Sequence, residues 1–203
     1  MLLDHEAVVD AKRALDNGKI VLYPTETLWG LGVNPMFEPG LRRLAALKAR
    51  HSNSPFMVLV QNLKEARKWG VFDDTALALA KEFWPGPLSL VMPATNILSK
   101  YLMGPGGTIG LRVSSHPVAR ALVKEFGPIT STSANRAGQR PPAGLSEVDP
   151  RIMKACHVVD GGPEPAGVAS TVVATTDMTV RVLREGVISE SQVFEALDRI
   201  FPD

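Results

Sequence analysis

The chain has 203 residues, of which 45% are hydrophobic, enough to bury the core of one sizeable domain and too many for a disordered protein. Its 22 basic and 21 acidic residues leave a net charge of +1, which excludes a general electrostatic attraction to nucleic acid or membranes. A single cysteine excludes an internal disulfide, the apolar runs are too short to span a bilayer and no signal-peptide pattern opens the sequence, so we expect a cytoplasmic protein.

Segments with helical and extended patterns alternate along the chain. Apolar residues recur at helical spacing in seven segments, 6–17, 39–50, 63–69, 74–84, 117–126, 146–155 and 191–201. Short apolar runs predict nine strands, at 19–23, 28–33, 56–60, 88–92, 108–113, 129–133, 157–160, 171–175 and 179–183. Because some strands follow one another directly and others are separated by helices, we expect a mixed α and β fold of three layers, a twisted mixed sheet with helices on both faces. No repeat or linker divides the chain, which predicts one domain over residues 1–203.

Polar side chains are concentrated at the end of the sixth predicted strand. In the segment Ser131 to Asn135, four of five side chains carry a hydroxyl or an amide. Short donors at a strand end are typical of ligand sites in open α/β sheets, although a turn that satisfies its own backbone has a similar composition. The following loop, residues 136–144, is rich in Gly, Pro and Arg and is a candidate lid over such a site.

Several cationic residues stand at the edges of apolar runs. Lys48 and Arg50 fall at the end of a predicted helix, and Arg184 follows the last predicted strand. Arg112 lies within an apolar strand, where an unpaired charge is costly, so we expect an anion beside it. Together with nearby hydroxyl groups, these cations indicate a site for a small zwitterion and a polyphosphate.

The common catalytic signatures are absent from the sequence. It has no Gly-rich phosphate loop, dinucleotide fingerprint or nucleophile elbow. Its histidines and Cys156 lack metal-ligand spacing, so we expect no structural metal and a packing role for Cys156. Glu26 is the only acid beside the predicted pocket, so no pair of carboxylates suggests an acid and a base. This favours a reaction that needs little proton transfer, such as nucleotidyl transfer.

Eight segments of the sequence resemble the YrdC-like threonylcarbamoyl-AMP synthases, in their short, single-domain form. In family order they are Tyr23 to Thr27, Trp29 to Gly32, Lys48 to Arg50, Trp84 to Ser89, Thr108 to Arg112, Ser131 to Asn135, Ser170 to Val173 and Leu183 to Gly186. The combination of Lys-x-Arg with Ser-x-Asn is specific, whereas any one segment alone is weak. The chain departs from the pattern at His51 and Ser114, where the family often carries proline.

The resemblance implies a concave, positively lined cavity and an enzyme that joins L-threonine, bicarbonate and ATP into threonylcarbamoyl-adenylate, with release of pyrophosphate. It implies that threonine is held by Thr27, Arg112, Ser131 and Ser170. ATP would be held by Lys48, Arg50, Thr108, Ser133, Asn135 and Arg184. Lys48 and Arg50 would be catalytic, since they offset charge on the departing pyrophosphate, and Mg²⁺ would arrive with ATP.

The same resemblance implies partners. A threonylcarbamoyl transferase complex would carry the group to adenosine 37 of tRNA. We also expect weak tRNA binding by the chain itself and no membrane partner.

Two other functions fit parts of the sequence. An RNA-binding or ribosome-maturation module of the same fold could use Arg136 and Arg140 on a phosphate backbone, but aromatic content is only 6%. A sugar-phosphate lyase needs clustered acidic metal ligands, and Glu26 and Asp160 are isolated. Release of pyrophosphate without RNA separates the synthase from the RNA-binding module.

Overall fold

The computed structural model describes residues 5–49, 55–176 and 179–202. The helices are α1 (His5–Asp16), α2 (Glu38–Leu47), α3 (Leu63–Ala66), α4 (Asp74–Phe83), α5 (Pro117–Glu125), α6 (Pro150–Ala155) and α7 (Glu190–Ile200). The strands are β1 (Ile20–Pro24), β2 (Trp29–Gly32), β3 (Met57–Leu59), β4 (Leu88–Pro93), β5 (Thr108–Arg112), β6 (Ile129–Ser133), β7 (Cys156–Val158), β8 (Thr171–Thr176) and β9 (Thr179–Arg184). Within these three stretches, no helix is long and apolar enough to cross a bilayer.

The nine strands found in the described residues form one mixed sheet in the order β7-β1-β2-β6-β3-β5-β4-β8-β9. The pairs β1/β7, β3/β5 and β4/β8 are parallel, and the remaining neighbours are antiparallel. The predicted mixed sheet between helices is therefore confirmed. The order also brings β6 between β2 and β3, so that the polar segment predicted to bind a ligand lies in the middle of the sheet.

Element boundaries differ from the prediction where local capping decides them. The helix expected from residue 146 begins only at Pro150, because the Asp149 carboxylate accepts from the Arg151 amide and Pro150 starts the first turn. The strand expected at 157–160 runs from Cys156 to Val158 instead. These changes leave the layer order as predicted.

One face of the sheet is fully covered. Alternate strand residues such as Leu22, Leu31, Val58 and Leu111 point into a large apolar core, to which α2, α3, α4, α6 and α7 all contribute buried side chains. Because successive residues of a strand point to opposite faces, the residues between these point to the other side.

The opposite face is covered over only part of its width. There α1 and α5 pack on Val21, Tyr23, Leu59 and Ile129 in a second, smaller core. Beyond this core, alternation sends polar side chains of β4, β5 and β6 to the same face. Helices cannot pack on such a surface without burying unpaired polar groups, so this part of the face stays open as a hollow.

Candidate active site

The hollow is an open cavity of about 380 Å³. It gathers eight of the ten residues proposed for the site, namely Thr27, Lys48, Arg112, Ser131, Ser133, Asn135, Ser170 and Arg184. Met57 and Leu59 of β3 form an apolar part of the cavity lining. Cations and hydroxyl groups that are far apart in the sequence therefore line one surface, as predicted.

The two other predicted residues are not among those lining the cavity. Arg50 lies outside the described residues, so its placement stays a prediction. Thr108 is on the same face of β5 as Arg112, but four residues earlier, a distance of about 13 Å along a strand. Its hydroxyl donates to the Pro105 carbonyl at 3.1 Å, beside the turn that precedes the strand. Any contact of Thr108 with a ligand would be at the far end of that ligand.

Arg112 is buried and already has an anionic partner. Its Nη2 lies 2.7 Å from the Glu26 Oε1, and it also donates to the Thr27 Oγ1 at 3.0 Å. Its Nε donates to the Gly86 carbonyl at 3.1 Å. The expectation of an anion beside Arg112 is thus confirmed, and the anion is a carboxylate of the chain itself. Among the described residues, these contacts involve only the Nε and Nη2 of Arg112, so its Nη1 is available to a ligand.

The Glu26 carboxylate is held between a cation and a hydroxyl. Burial alone would raise the pKa of Glu26, but the charge of the adjacent Arg112 guanidinium, with a hydrogen bond from the Ser114 hydroxyl, holds that pKa below its usual range. Glu26 is therefore ionised at neutral pH and is engaged with protein groups. It is poorly placed to act as a general base.

Arg184 approaches the same cavity from the edge of the sheet. Its Nε and Nη2 donate to the Ser170 carbonyl at 3.2 and 2.8 Å, and Nη2 also donates to the Ser170 Oγ at 3.2 Å. Partial burial of the guanidinium, followed by the charge of Arg112, lowers the pKa of Arg184. In the part of the chain that the structure describes, no carboxylate forms an ion pair with Arg184. The cavity thus presents a cationic group that a bound anion can neutralise.

Lys48 holds the end of β6. Its Nζ donates to the carbonyl oxygens of Ser133 and Asn135 at 2.5 and 2.6 Å, with a longer contact of 3.4 Å to the Asn135 Oδ1. The side chain is only 3% exposed. Since the Ser133 hydroxyl donates to the same Oδ1 at 2.5 Å, the lysine and the polar segment form one unit.

The direction of the hydrogen bonds fixes what some hydroxyl groups can offer a ligand. The Thr25 hydroxyl donates to the Leu28 carbonyl at 2.7 Å, so in its 2.9 Å contact with Thr27 the Thr27 hydroxyl must be the donor. Thr27 then accepts from Arg112 and can only accept from a ligand. Arg112 as donor beside Thr27 as acceptor suits a zwitterion, which carries a carboxylate and an ammonium group.

Several residues that line the cavity were not among the predicted site residues, and Thr25, Trp29 and Ser89 are three of them. The Ser89 Oγ lies 3.0 Å from the Ser170 Oγ, and Ser89 is 1% exposed. Its signal was a lone serine between Leu88 and Leu90 in an apolar strand, where alternation assigns the middle residue to the other face. Thr25 and Trp29 gave no comparable signal, because both belong to apolar or turn-forming surroundings.

Metal ligands do not cluster at this cavity. In residues 5–49, 55–176 and 179–202, no group of three or more His, Cys, Asp and Glu side chains could hold a metal ion.

Burial raises the pKa of the Cys156 thiol to about 12, so the thiolate is scarce at neutral pH.

Comparison with known proteins gives a consistent result. The profile of the Sua5/YciO/YrdC family, described as "Telomere recombination", matches residues 13–186. The chain is 33% identical over 203 residues to a Bacillus subtilis threonylcarbamoyl-AMP synthase, covering 97% of this chain and 58% of that protein. It is 32% identical over 189 residues to a threonylcarbamoyl-AMP synthase of Xanthomonas campestris, covering 90% of this chain and 100% of that protein.

A solved structure of similar fold carries a ligand. The crystal structure of Pyrococcus abyssi Sua5 complexed with L-threonine superposes with a TM-score of 0.88 at 27% identity, over 97% of this chain and 59% of that one. The chain thus spans little more than half the length of the Bacillus and Pyrococcus proteins.

Proposed function

This chain belongs to the Sua5/YciO/YrdC family, and we propose that it is a threonylcarbamoyl-AMP synthase. It joins L-threonine, bicarbonate and ATP into threonylcarbamoyl-adenylate and releases pyrophosphate. The observation that carries the proposal is the charge of the cavity. Among the described residues it is lined by Lys48, Arg112 and Arg184 and by no carboxylate, and Glu26, outside the lining, pairs with Arg112. An excess of cations beside hydroxyl groups suits the carboxylate of an amino acid and the phosphates of a nucleotide.

The two substrates occupy adjoining parts of the cavity. Threonine lies against Thr27, Arg112, Ser131 and Ser170, with its carboxylate toward the Nη1 of Arg112. ATP lies against Lys48, Arg50, Thr108, Ser133, Asn135 and Arg184. Arg184 belongs to the ATP subsite and Ser170 to the threonine subsite, and the hydrogen bond between them supports the adjacency of the two subsites. A phosphate oxygen at Ser133 requires that hydroxyl to give up its bond to Asn135.

The chemistry needs no general base from the cavity. The threonine ammonium group first releases a proton to solvent, and the resulting amine and bicarbonate form a carbamate and water. A carbamate oxygen then attacks the α-phosphorus of ATP as the bond to pyrophosphate breaks. The protein contributes position and charge, which dominate catalysis of phosphoryl-type transfers. Lys48 and Arg50 offset the charge that accumulates on the leaving pyrophosphate.

Mg²⁺ enters with the nucleotide rather than as a resident ion. In the described part of the chain no carboxylate lines the cavity, and the nearby Glu26 is engaged by Arg112 and Ser114. The phosphates therefore provide the main ligands of the ion, whose charge assists departure of pyrophosphate.

The product is a mixed anhydride that needs an acceptor. We place the chain in the cytoplasm, upstream of a transferase complex that moves the threonylcarbamoyl group to adenosine 37 of tRNA. Its own contact with tRNA is weak, because the net charge of +1 gives no long-range attraction to phosphate backbones.

The test is incubation of purified protein with ATP, Mg²⁺, labelled bicarbonate and a panel of amino acids. Pyrophosphate release that requires both bicarbonate and threonine, with a labelled adenylate of matching mass, is the expected result. Equal activity with every amino acid would overturn the substrate assignment. Salt-sensitive retention of RNA without any pyrophosphate release would replace the synthase with the RNA-binding alternative.

A further inference from the structure

Two residues behind the cavity wall hold the guanidinium of Arg112 in place. Neither Glu26 nor Ser114 is among the residues that line the cavity. Glu26 contacts Arg112 through Oε1, and its Oε2 accepts from the Ser114 hydroxyl. The two carboxylate oxygens therefore have separate partners on one continuous path from Ser114 to the cavity.

The direction of the Ser114 hydroxyl is determined by the backbone that follows it. The His116 amide donates to the Ser114 Oγ at 3.2 Å. A hydroxyl group has one hydrogen, and an ionised carboxylate can only accept, so the Ser114 hydrogen points to Glu26. Ser114 is 4% exposed, which leaves little access for water as a substitute partner.

The surroundings of Glu26 make this anchoring important. The charged group that acts on Glu26 is Arg112. Arg184 acts in turn on Arg112, because the two guanidinium groups are close enough to interact. Tyr23 also lies near Glu26, but burial raises the pKa of its phenol well above the usual value, so it stays neutral. Arg112 and Arg184 repel each other, and Glu26 is the carboxylate that pairs with Arg112, so a change in the orientation of Glu26 acts on the guanidinium of Arg112 directly.

We infer that Ser114 is a positioning residue for the amino-acid subsite, acting through Glu26 to set the orientation of Arg112 without touching the substrate. The inference rests on the proposed function, because it takes the ligand of the Arg112 Nη1 to be the threonine carboxylate. It assigns a specific task to a serine at a position where proline would leave the Glu26 Oε2 without this donor.

The experiment compares Ser114→Ala with wild type in two measurements. The dissociation constant of L-threonine, measured by titration calorimetry at pH 7.5, should rise about threefold to tenfold, the range expected when one hydrogen bond is lost. In the pyrophosphate-release assay, the KM for threonine should rise in the same proportion, while kcat and the KM for ATP stay within about twofold. Loss of folded protein alone would instead lower the apparent kcat and leave both KM values unchanged, so a rise in the KM for threonine separates positioning from misfolding.

Matched variants separate the positioning role from local disturbance. Ser115→Ala removes an exposed hydroxyl from the adjacent residue and should match wild type. Ser114→Thr keeps the hydroxyl and should restore most of the affinity for threonine. Should Ser114→Ala fail to fold, Ser114→Cys tests the same bond with a side chain of similar shape and a weak donor.

A final measurement does not depend on the substrate. Carbon-13 NMR of the side-chain carboxyls should show Glu26 titrating at higher pH in Ser114→Ala than in wild type or Ser115→Ala, because a donor to the charged form is lost. An unchanged Glu26 titration, or unchanged threonine affinity in Ser114→Ala, would refute the positioning role. If wild type binds no threonine but the Glu26 titration shifts, the proposed function fails and the contact between Ser114 and Glu26 stands.

Discussion

The ion pair between Glu26 and Arg112 makes a measurable contribution to the stability of the fold. The atoms are 2.7 Å apart, and the side chains are 18% and 7% exposed. Removal of one partner from a buried pair typically costs 3–5 kcal/mol, because the remaining charge is left uncompensated. Glu26 keeps some contact with solvent, so for Glu26→Ala we expect a loss near the lower end, about 3 kcal/mol.

A second glutamate provides the control. Glu82 pairs with Arg199 at 2.8 Å, but the side chains are 36% and 67% exposed, and surface pairs contribute about 0.5 kcal/mol. Urea unfolding at pH 7 should therefore distinguish Glu26→Ala from Glu82→Ala by about 2.5 kcal/mol, or about 5–10 °C in Tm for a chain of this size. The buffer must lack phosphate and nucleotide, because a bound anion would take the place of the carboxylate.

The pH dependence of the free energy of unfolding tests independently whether the charge of Glu26 stabilises the fold. The pKa of Glu26 is lowered on folding from its ordinary value of 4.5, so the stabilisation is fully present above pH 4.5 and is lost as the pH falls through the lower folded pKa. The difference in the free energy of unfolding between wild type and Glu26→Ala should therefore become smaller as the pH falls below 4.5. Equal stability of Glu26→Ala and Glu82→Ala at pH 7 would refute the reasoning.

Three further substitutions test the site and the sheet. Lys48→Ala should reduce pyrophosphate release at least tenfold, since it removes a cation and the anchor of β6, and near wild-type turnover would remove its catalytic assignment. Arg184→Ala should weaken ATP binding about tenfold or more in calorimetry, while Arg181→Ala, which removes an arginine of the same strand that does not line the cavity, leaves it unchanged. Gly32→Ala should destabilise the protein by about 1–3 kcal/mol in urea, because its Cβ would lie 2.7 Å from the Thr130 carbonyl oxygen. Gly144→Ala, with no atom within 4 Å of the added Cβ, should be neutral, and equal effects of the two would contradict the packing argument.

The secondary structure was largely predictable from local pattern. All nine predicted strands and seven predicted helices are present, because each element depends on apolar spacing within a few neighbouring residues. Errors fell at element ends, such as the late start of α6 at Pro150, where one capping carboxylate decides the boundary. The residue types of the site were equally visible, since hydroxyl groups and cations interrupt apolar runs.

The partners of these residues were not predictable in the same way. Arg112 in an apolar strand indicated that an anion must be near, but the sequence did not identify it as Glu26, 86 positions earlier, nor Ser114 as the donor that holds it. Lys48 likewise donates hydrogen bonds to backbone carbonyls at the end of β6 and two residues beyond it, 85 and 87 positions away, which composition cannot reveal.

The sequence by itself thus determined the elements, the layer arrangement and the kinds of group at the site. Only the tertiary structure decided which of these groups touch, and that Thr108 lies away from the cavity while Ser89 lines it. The physical reason is the strand order, which places β6 between β2 and β3 and β5 between β3 and β4. Contacts across such a sheet join residues with no local relation in the chain, and alternation between its faces then selects which of them meet in the open hollow.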